Sequence, residues 1–231
     1  MKGRLIIVPN RSSFPRKNQI RRLVYKVVSN NGDGAYNYSS VYAVDPEYID
    51  QCLQMASLFD SAIDPNTFHF DLQKAIAIAN DPDNDLTLLG QLDTQVYETK
   101  YLEIATMADQ IMNQLSDFLN APFPEGDLKN QLTAAMQNTF ANLNTQEDSA
   151  WIFWSDEQAS NTTYLYNILF AVEVHTVSGP AVYVCPMGFE ISVDIEKEKV
   201  LFITIHDSHT YSVRLQAVNA AFFSGDICDN C

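Results

Sequence analysis

Apolar positions repeat with two different periods along this chain, and the change falls near Ala150. Before it the spacing is helical. Asp45-Pro46 reads as an N-cap followed by the first helical residue. From there Ile49, Cys52, Leu53, Ala56 and Phe59 recur at the i, i+3, i+4, i+7 spacing of an amphipathic helix. Asp64-Pro65-Asn66 turns the chain, and Phe68, Leu72, Ala75, Ile76 and Ala79 predict a second, short helix stopped by NDPDND. Ile104, Ala108, Ile111, Leu115 and Phe118 alternate in steps of four and three, a seam for packing on a neighbour. APFPEGD breaks that pattern, and Leu128, Leu132, Ala135, Met136, Thr139 and Leu143 predict a fourth helix behind Asp127. Two helical hairpins are therefore expected, over 46–79 and 104–143.

After Ala150 the pattern becomes β-branched and aromatic. YLYNILFAVEV (164–174), AVYVCPMGFEISV (181–193), VLFITIHD (200–207) and YSVRLQAV (211–218) predict strands, with turns at 178–180, 194–198 and 207–209. VYAV (41–44) is a further short candidate. The predicted strands form an antiparallel meander, but the central ones do not alternate: Ile168 to Val172 and Val200 to Ile203 are unbroken apolar runs. A strand apolar on both faces must be covered on both faces. The expected architecture is α/β, a single three-layer domain in which a mainly antiparallel sheet lies between α-helical hairpins. No run approaches the length of about 18–20 apolar residues that a transmembrane helix requires.

Charge divides the chain differently. The formal net charge is −15, yet eight basic residues (Lys2, Arg4, Arg11, Arg16, Lys17, Arg21, Arg22, Lys26) precede the first acidic one, Asp33. Residues 1–40 thus read as a basic arm or pro-segment, 41–225 as the folded domain and 226–231 as a cysteine-bearing tail. A basic arm can bind nucleic acid or anionic lipid, but a body this acidic repels phosphate, and no nucleic-acid partner is expected. Arg21-Arg22, in a polar and unpatterned stretch, suits a trypsin-like protease. The apolar run LIIV ends at Pro9 and is too short for the core of a secretory signal, so export by the general secretory route is not expected.

Candidate chemistry is sparse. His206-Asp207-Ser208-His209 contains the residue types of a hydrolase triad, but four adjacent residues in a turn cannot orient one another as nucleophile, base and orienter. DPDND (81–85) has Leu86 where a calcium loop needs glycine and Leu92 where it needs an acid. There is no phosphate-binding glycine loop and no H-E-x-x-H. Cys52 and Cys185 sit in apolar patterns and read as core residues. Cys228 and Cys231 form a single C-x-x-C, half a zinc site or an intermolecular disulfide pair. No cofactor, metal or catalytic residue is expected. The cluster AWIFW holds both tryptophans, Trp151 and Trp154, which read as core or, at a strand end, as interfacial anchors, because indoles favour the headgroup level.

The segments QLTAAMQNTFANLNTQEDSAWIFW (131–154), NTTYLYNILFAVE (161–173), VYVCPMGFEISVD (182–194) and EKVLFITIHDSHTYSVRLQAV (198–218) resemble the Cyt family of cytolytic δ-endotoxins. Weaker similarity runs through VDPEYIDQCLQMASLFDSAIDP (44–65) and KAIAIAN (74–80). The resemblance implies one α/β domain with a sheet wrapped by two layers of helical hairpins. It implies a non-enzymatic insecticidal protoxin, stored in the parasporal crystal inclusions of spore-forming bacteria and released with the spore. It further implies activation by proteolysis, direct binding to membrane phospholipid, oligomerisation and permeabilisation. A homodimer held through the N-terminal segment and potentiation of companion crystal toxins come with it. The N-terminal arm aligns poorly, so the cut at Arg21 and Arg22 rests on the residues alone. On this reading both hairpins swing away at the bilayer and strand residues Ile168, Phe170, Val172, Phe202 and Ile205 meet lipid, either as a pore or as a detergent-like assembly. The alternative is a lipid- or glycan-binding module without lytic action.

Overall fold

The computed structural model describes residues 24–27, 37–119, 127–176 and 179–223. In chain order the elements are β1 (Val24–Val27), β2 (Ser39–Ala43), α1 (Ile49–Asp60), α2 (Leu72–Asn80), β3 (Thr87–Glu103), α3 (Ile104–Leu119), α4 (Asp127–Gln137), β4 (Ile152–Gln158), β5 (Asn161–Thr176), β6 (Gly179–Val193), α5 (Lys197–Val200) and β7 (Ser208–Phe223). A 3-10 turn, Pro46–Tyr48, leads into α1 with proline at its start, where the missing N–H costs nothing. The Asp71 side chain caps α2 by accepting from Lys74 N at 3.0 Å. The longest helix among the described residues, α3, has no glycine or proline inside it and buries one stripe from Ile104 through Leu119. It starts at the residue after β3 ends, with no loop between.

The described strands make one sheet of order β1-β2-β5-β6-β7-β3, with β4 also paired to β5. Neighbours are antiparallel except β2 and β5, which run parallel with Ser39 opposite Ile168 and Ala43 opposite Val172. The outer edge of β5 is shared: β4 takes Asn161 to Tyr166 and β2 takes Ile168 to Val172. The fold is thus mixed α/β with a mainly antiparallel sheet, as expected from the sequence.

Two apolar clusters lie against the sheet. One joins α3 and α4 to Ile168, Phe170 and Val172 of β5, Met187 and Phe189 of β6, and Val213 and Leu215 of β7. The other joins α1 and α2 to Leu169 and Ala171 of β5, Val182 and Val184 of β6, and Val218 and Ala220 of β7. Alternate residues of one strand thus enter different clusters, which is why β5 reads as an unbroken apolar run.

Two predicted elements change, and one strand lies where none was predicted. The segment VLFITIHD is not a strand: it holds the end of α5 and then a run of turns, so the 194–198 turn is not a hairpin turn. Its backbone is used elsewhere. The carbonyls of Leu201, Ile203 and Ile205 accept from the amides of Asn144, Asn142 and Ala105, and the Asp207 carboxylate accepts from the Thr204 amide at 2.7 Å. This ties the segment to the start of α3 and to the chain after α4 and leaves no ladder for a strand. The fourth helix stops at Gln137 rather than near Leu143. A strand of 17 residues, β3, fills the interval before α3 and forms one edge of the sheet.

Candidate functional site

The candidate region is the sheet itself. Ile168, Phe170 and Val172 share one face of β5 and are buried in the α3–α4 cluster. The structure brings these three together but separates Phe202 and Ile205 from them as strand residues. Phe202 is 67% exposed in the turns after α5. Ile205 is half-buried and packs on the rim of the same cluster.

Trp151 lies just before β4, is buried, and its Nε1 donates to Gln146 Oε1 at 3.4 Å. The same oxygen accepts from the Tyr166 hydroxyl at 2.8 Å. Trp151 is therefore a core residue that closes the turn before β4. Trp154 is half-buried within β4, its ring 5.3 Å from that of Tyr164 and 4.8 Å below the Lys197 ammonium. Lys197 also pairs with Glu147 at 3.4 Å and Glu157 at 3.1 Å. Arg21, Arg22, Cys228 and Cys231 lie outside the described residues. Cys52 in α1 and Cys185 in β6 are buried free thiols. Burial pushes the Cys52 thiol up to about 12, and burial raises that of Cys185 further.

His206 and Asp207 do not form a catalytic arrangement. His206 Nδ1 lies 3.3 Å from Glu103 Oε1, and Asp207 is occupied by Thr204. His209 packs edge-on against the Tyr211 ring. Among the described residues no group of three or more His, Cys, Asp or Glu could hold a metal ion, and no helix is long and apolar enough to cross a membrane.

A feature absent from the sequence reading lies on the α1–α2 side, beyond the reach of those helices. There the sheet is polar and wet across four strands. Asp93 of β3 receives a two-pronged contact from Arg214 of β7, at 3.1 and 3.0 Å, and a third bond from Gln216 at 3.0 Å. The Arg214 hydrogen bonds hold the Asp93 carboxyl below the usual carboxylate range. Gln95 donates to Ser212 Oγ at 2.9 Å, and Thr163 and Ser192 pair across β5 and β6 at 2.8 Å. Glu190 stands opposite Arg214 in the ladder. A cleft of about 100 Å³ lined by Phe70, Asn167, Gly188, Glu190 and Arg214 marks where the α1–α2 layer ends. The polar alternation Gln91, Asp93, Gln95 along β3 was the available signal for this surface.

The described residues thus form an α/β fold whose sheet holds its apolar residues under helices. The model of the family described as Bacillus thuringiensis toxin matches residues 15–223. The type-2Aa cytolytic delta-endotoxin of Bacillus thuringiensis subsp. kyushuensis is 37% identical over 202 residues, which is 87% of this chain and 76% of the relative. The type-1Aa cytolytic delta-endotoxin of subsp. morrisoni is 37% identical over 192 residues, 80% of this chain and 76% of the relative. The crystal structure of activated Cyt2Ba monomer from subsp. israelensis superposes with a TM-score of 0.75 at 32% identity, covering 82% of this chain and all of that one. A second solved structure, a delta-endotoxin, gives a TM-score of 0.78 at 34% identity, covering 93% and 95%. The chain belongs to the Bacillus thuringiensis toxin family, with cytolytic delta-endotoxins as its relatives.

Proposed function

We propose that this protein is an insecticidal, membrane-permeabilising protoxin that acts on phospholipid directly and not through enzymatic turnover. The observation that carries the reading is the α3–α4 cluster: a sheet face of spanning length, apolar throughout its centre and kept dry by amphipathic helices. In the folded form α3 and α4 lie over one face of the sheet and α1 and α2 over part of the other. At a bilayer, acyl chains replace helical cover, so the sheet loses little apolar burial in the exchange, while a released amphipathic helix re-buries its stripe at the headgroup boundary. Strands inserted in lipid must satisfy every backbone group, which favours a closed assembly of several copies.

The remaining parts of the reading follow what the family resemblance implies. The form that is stored is a protoxin in a parasporal inclusion, dimeric through its N-terminal segment, and trimming near Arg21 and Arg22 activates it. Companion crystal toxins are its functional partners. The deciding experiment is calcein release from phosphatidylcholine vesicles before and after trypsin. Release that rises after trypsin supports the proposal. Vesicle binding with no release at any lipid composition or pH would establish a non-lytic binding module instead. Unitary conductance steps in planar bilayers would mark a pore, and graded release without steps a detergent-like mode.

A further inference from the structure

We propose that the two helical layers have different fates at the membrane: the α3–α4 side of the sheet is the face that meets acyl chains, while the α1–α2 side stays in water with its helices still docked. This inference rests on the membrane-permeabilising reading above.

The two faces of the sheet are not equivalent. A strand that crosses lipid needs an apolar outer face over about 9–11 tilted residues, whereas its other face can be polar. On the α3–α4 side, every second residue from Tyr164 to Val174 of β5 and from Tyr183 to Val193 of β6 belongs to the apolar cluster or packs on it. On β7 the same holds from Tyr211 to Ala217, after which Asn219 interrupts. On β3, Leu92 and Val96 continue the surface, with Thr94 between them.

The opposite side divides into halves. One half carries Asp93, Gln95, Glu190, Ser192, Ser212 and Arg214, joined by the cross-strand bonds described above. Charges on a lipid-facing strand position are costly in proportion to depth, so this half cannot be turned toward acyl chains. The other half, around Leu169, Val184 and Val218, is apolar and lies under α1 and α2. Stripping those helices would bare it to water on the same side as the polar half. Keeping them leaves the whole side wettable. The expectation that both hairpins swing away is therefore replaced by release of one.

Phe70, just before α2, packs on the bare Gly188 backbone of β6. Asn167 Nδ2 of β5 donates to Phe68 O at 3.2 Å, and Glu173 Oε2 of β5 accepts from Asp45 N at 3.0 Å, where the turn leading into α1 begins. The α1–α2 layer is thus pinned to β5 and β6 at both ends by polar and close-packed contacts.

Two disulfide-tethered forms of the full chain test this, both in a Cys228→Ser, Cys231→Ser background. One tether joins α3 to β3 and the other joins α2 to β7, each placed to meet the disulfide requirement of Cα atoms about 5.5–6 Å apart. After trypsin, calcein release from phosphatidylcholine vesicles is measured with and without reductant. Loss of release in the oxidised α3–β3 form, restored on reduction, together with unchanged release in the oxidised α2–β7 form, is the expected result. Loss of release in the oxidised α2–β7 form, or full release by the oxidised α3–β3 form, overturns the proposal. If wild type and both reduced forms leave vesicles intact, the membrane-permeabilising reading itself falls. A surface probe gives an independent reading. A spin label on Glu190→Cys should remain accessible to a water-soluble nickel complex on vesicles, and accessibility dominated by lipid-dissolved oxygen overturns the sidedness.

Discussion

Raising the pH should dismantle this fold by a route that its buried acids define. Burial raises the pKa of Tyr38, Tyr97, Tyr164, Tyr166 and Tyr211 above the ordinary 10.0, and of Cys52 and Cys185 above 9.0. Each of these groups keeps its proton in the native state after the unfolded chain has lost it. The stability it contributes is complete below the unfolded pKa and is lost as pH climbs toward the folded one. Between pH 8 and pH 10 each thiol withdraws about 1.4 kcal/mol and each phenol about 0.4 kcal/mol, so the seven groups together remove about 5 kcal/mol. That is comparable to the whole stability of an ordinary domain, about 5–15 kcal/mol. Urea unfolding followed by tryptophan fluorescence at pH 8, 9 and 10 and constant salt measures it. Replacing Cys52 or Cys185 by Ala should each flatten the slope by about 1.4 kcal/mol over that interval. A free energy of unfolding constant to about 1 kcal/mol from pH 8 to 10 would refute the reasoning, as would an undiminished loss in the double Cys variant.

Further outcomes can be checked by thermal and denaturant unfolding. A Cβ at Gly188 would collide with the Phe70 side chain and lie 3.1 Å from Asn167 Oδ1, so Gly188→Ala should cost about 1–3 kcal/mol and lower Tm. Gly90→Ala, which meets only Phe118 at 3.4 Å, should be near neutral, and equal Tm values would contradict the packing. Lys197→Met keeps an apolar side chain but loses the ammonium over the Trp154 ring and the Glu147 and Glu157 pairs; because those pairs are partly exposed, the expected cost is at most about 1 kcal/mol. Lys197→Ala should cost more because the apolar stem is lost as well; equal values for the two would show that the stem contributes nothing.

What could be read from the residues followed from how each element is buried. The seam of α3 and the i, i+3, i+4 spacing of α1 were legible because each helix buries a single stripe. The strands β5, β6 and β7 were legible from length and branching. Short apolar runs do not distinguish a strand from a buried turn, and at Val200 to Ile203 the hydrogen bonds from Asn142 and Asn144 decide the matter, a tertiary effect with no local trace. The strand β3 was missed although Leu92, Thr94 and Val96 alternate with Asp93 and Gln95. The aliphatic count is low, and three register shifts interrupt the period. The sidedness of the sheet was invisible for a deeper reason: a run such as Ile168 to Val172 is apolar on both faces, and only the helices above and below say which cluster each residue joins.

The four-residue strand β1 carries a consequence for the proposed trimming. It lies antiparallel on β2, with Lys26 opposite Val41, and it begins two positions past Arg22. Cleavage behind the arginine pair leaves β1 attached and the β2 margin occupied. Cleavage behind Lys26 cuts the strand itself and frees that margin for hydrogen bonding to another chain. Two neighbouring scissions would thus yield products alike in mass but unlike in adhesiveness, the second at a bond that lies within the β1–β2 pairing.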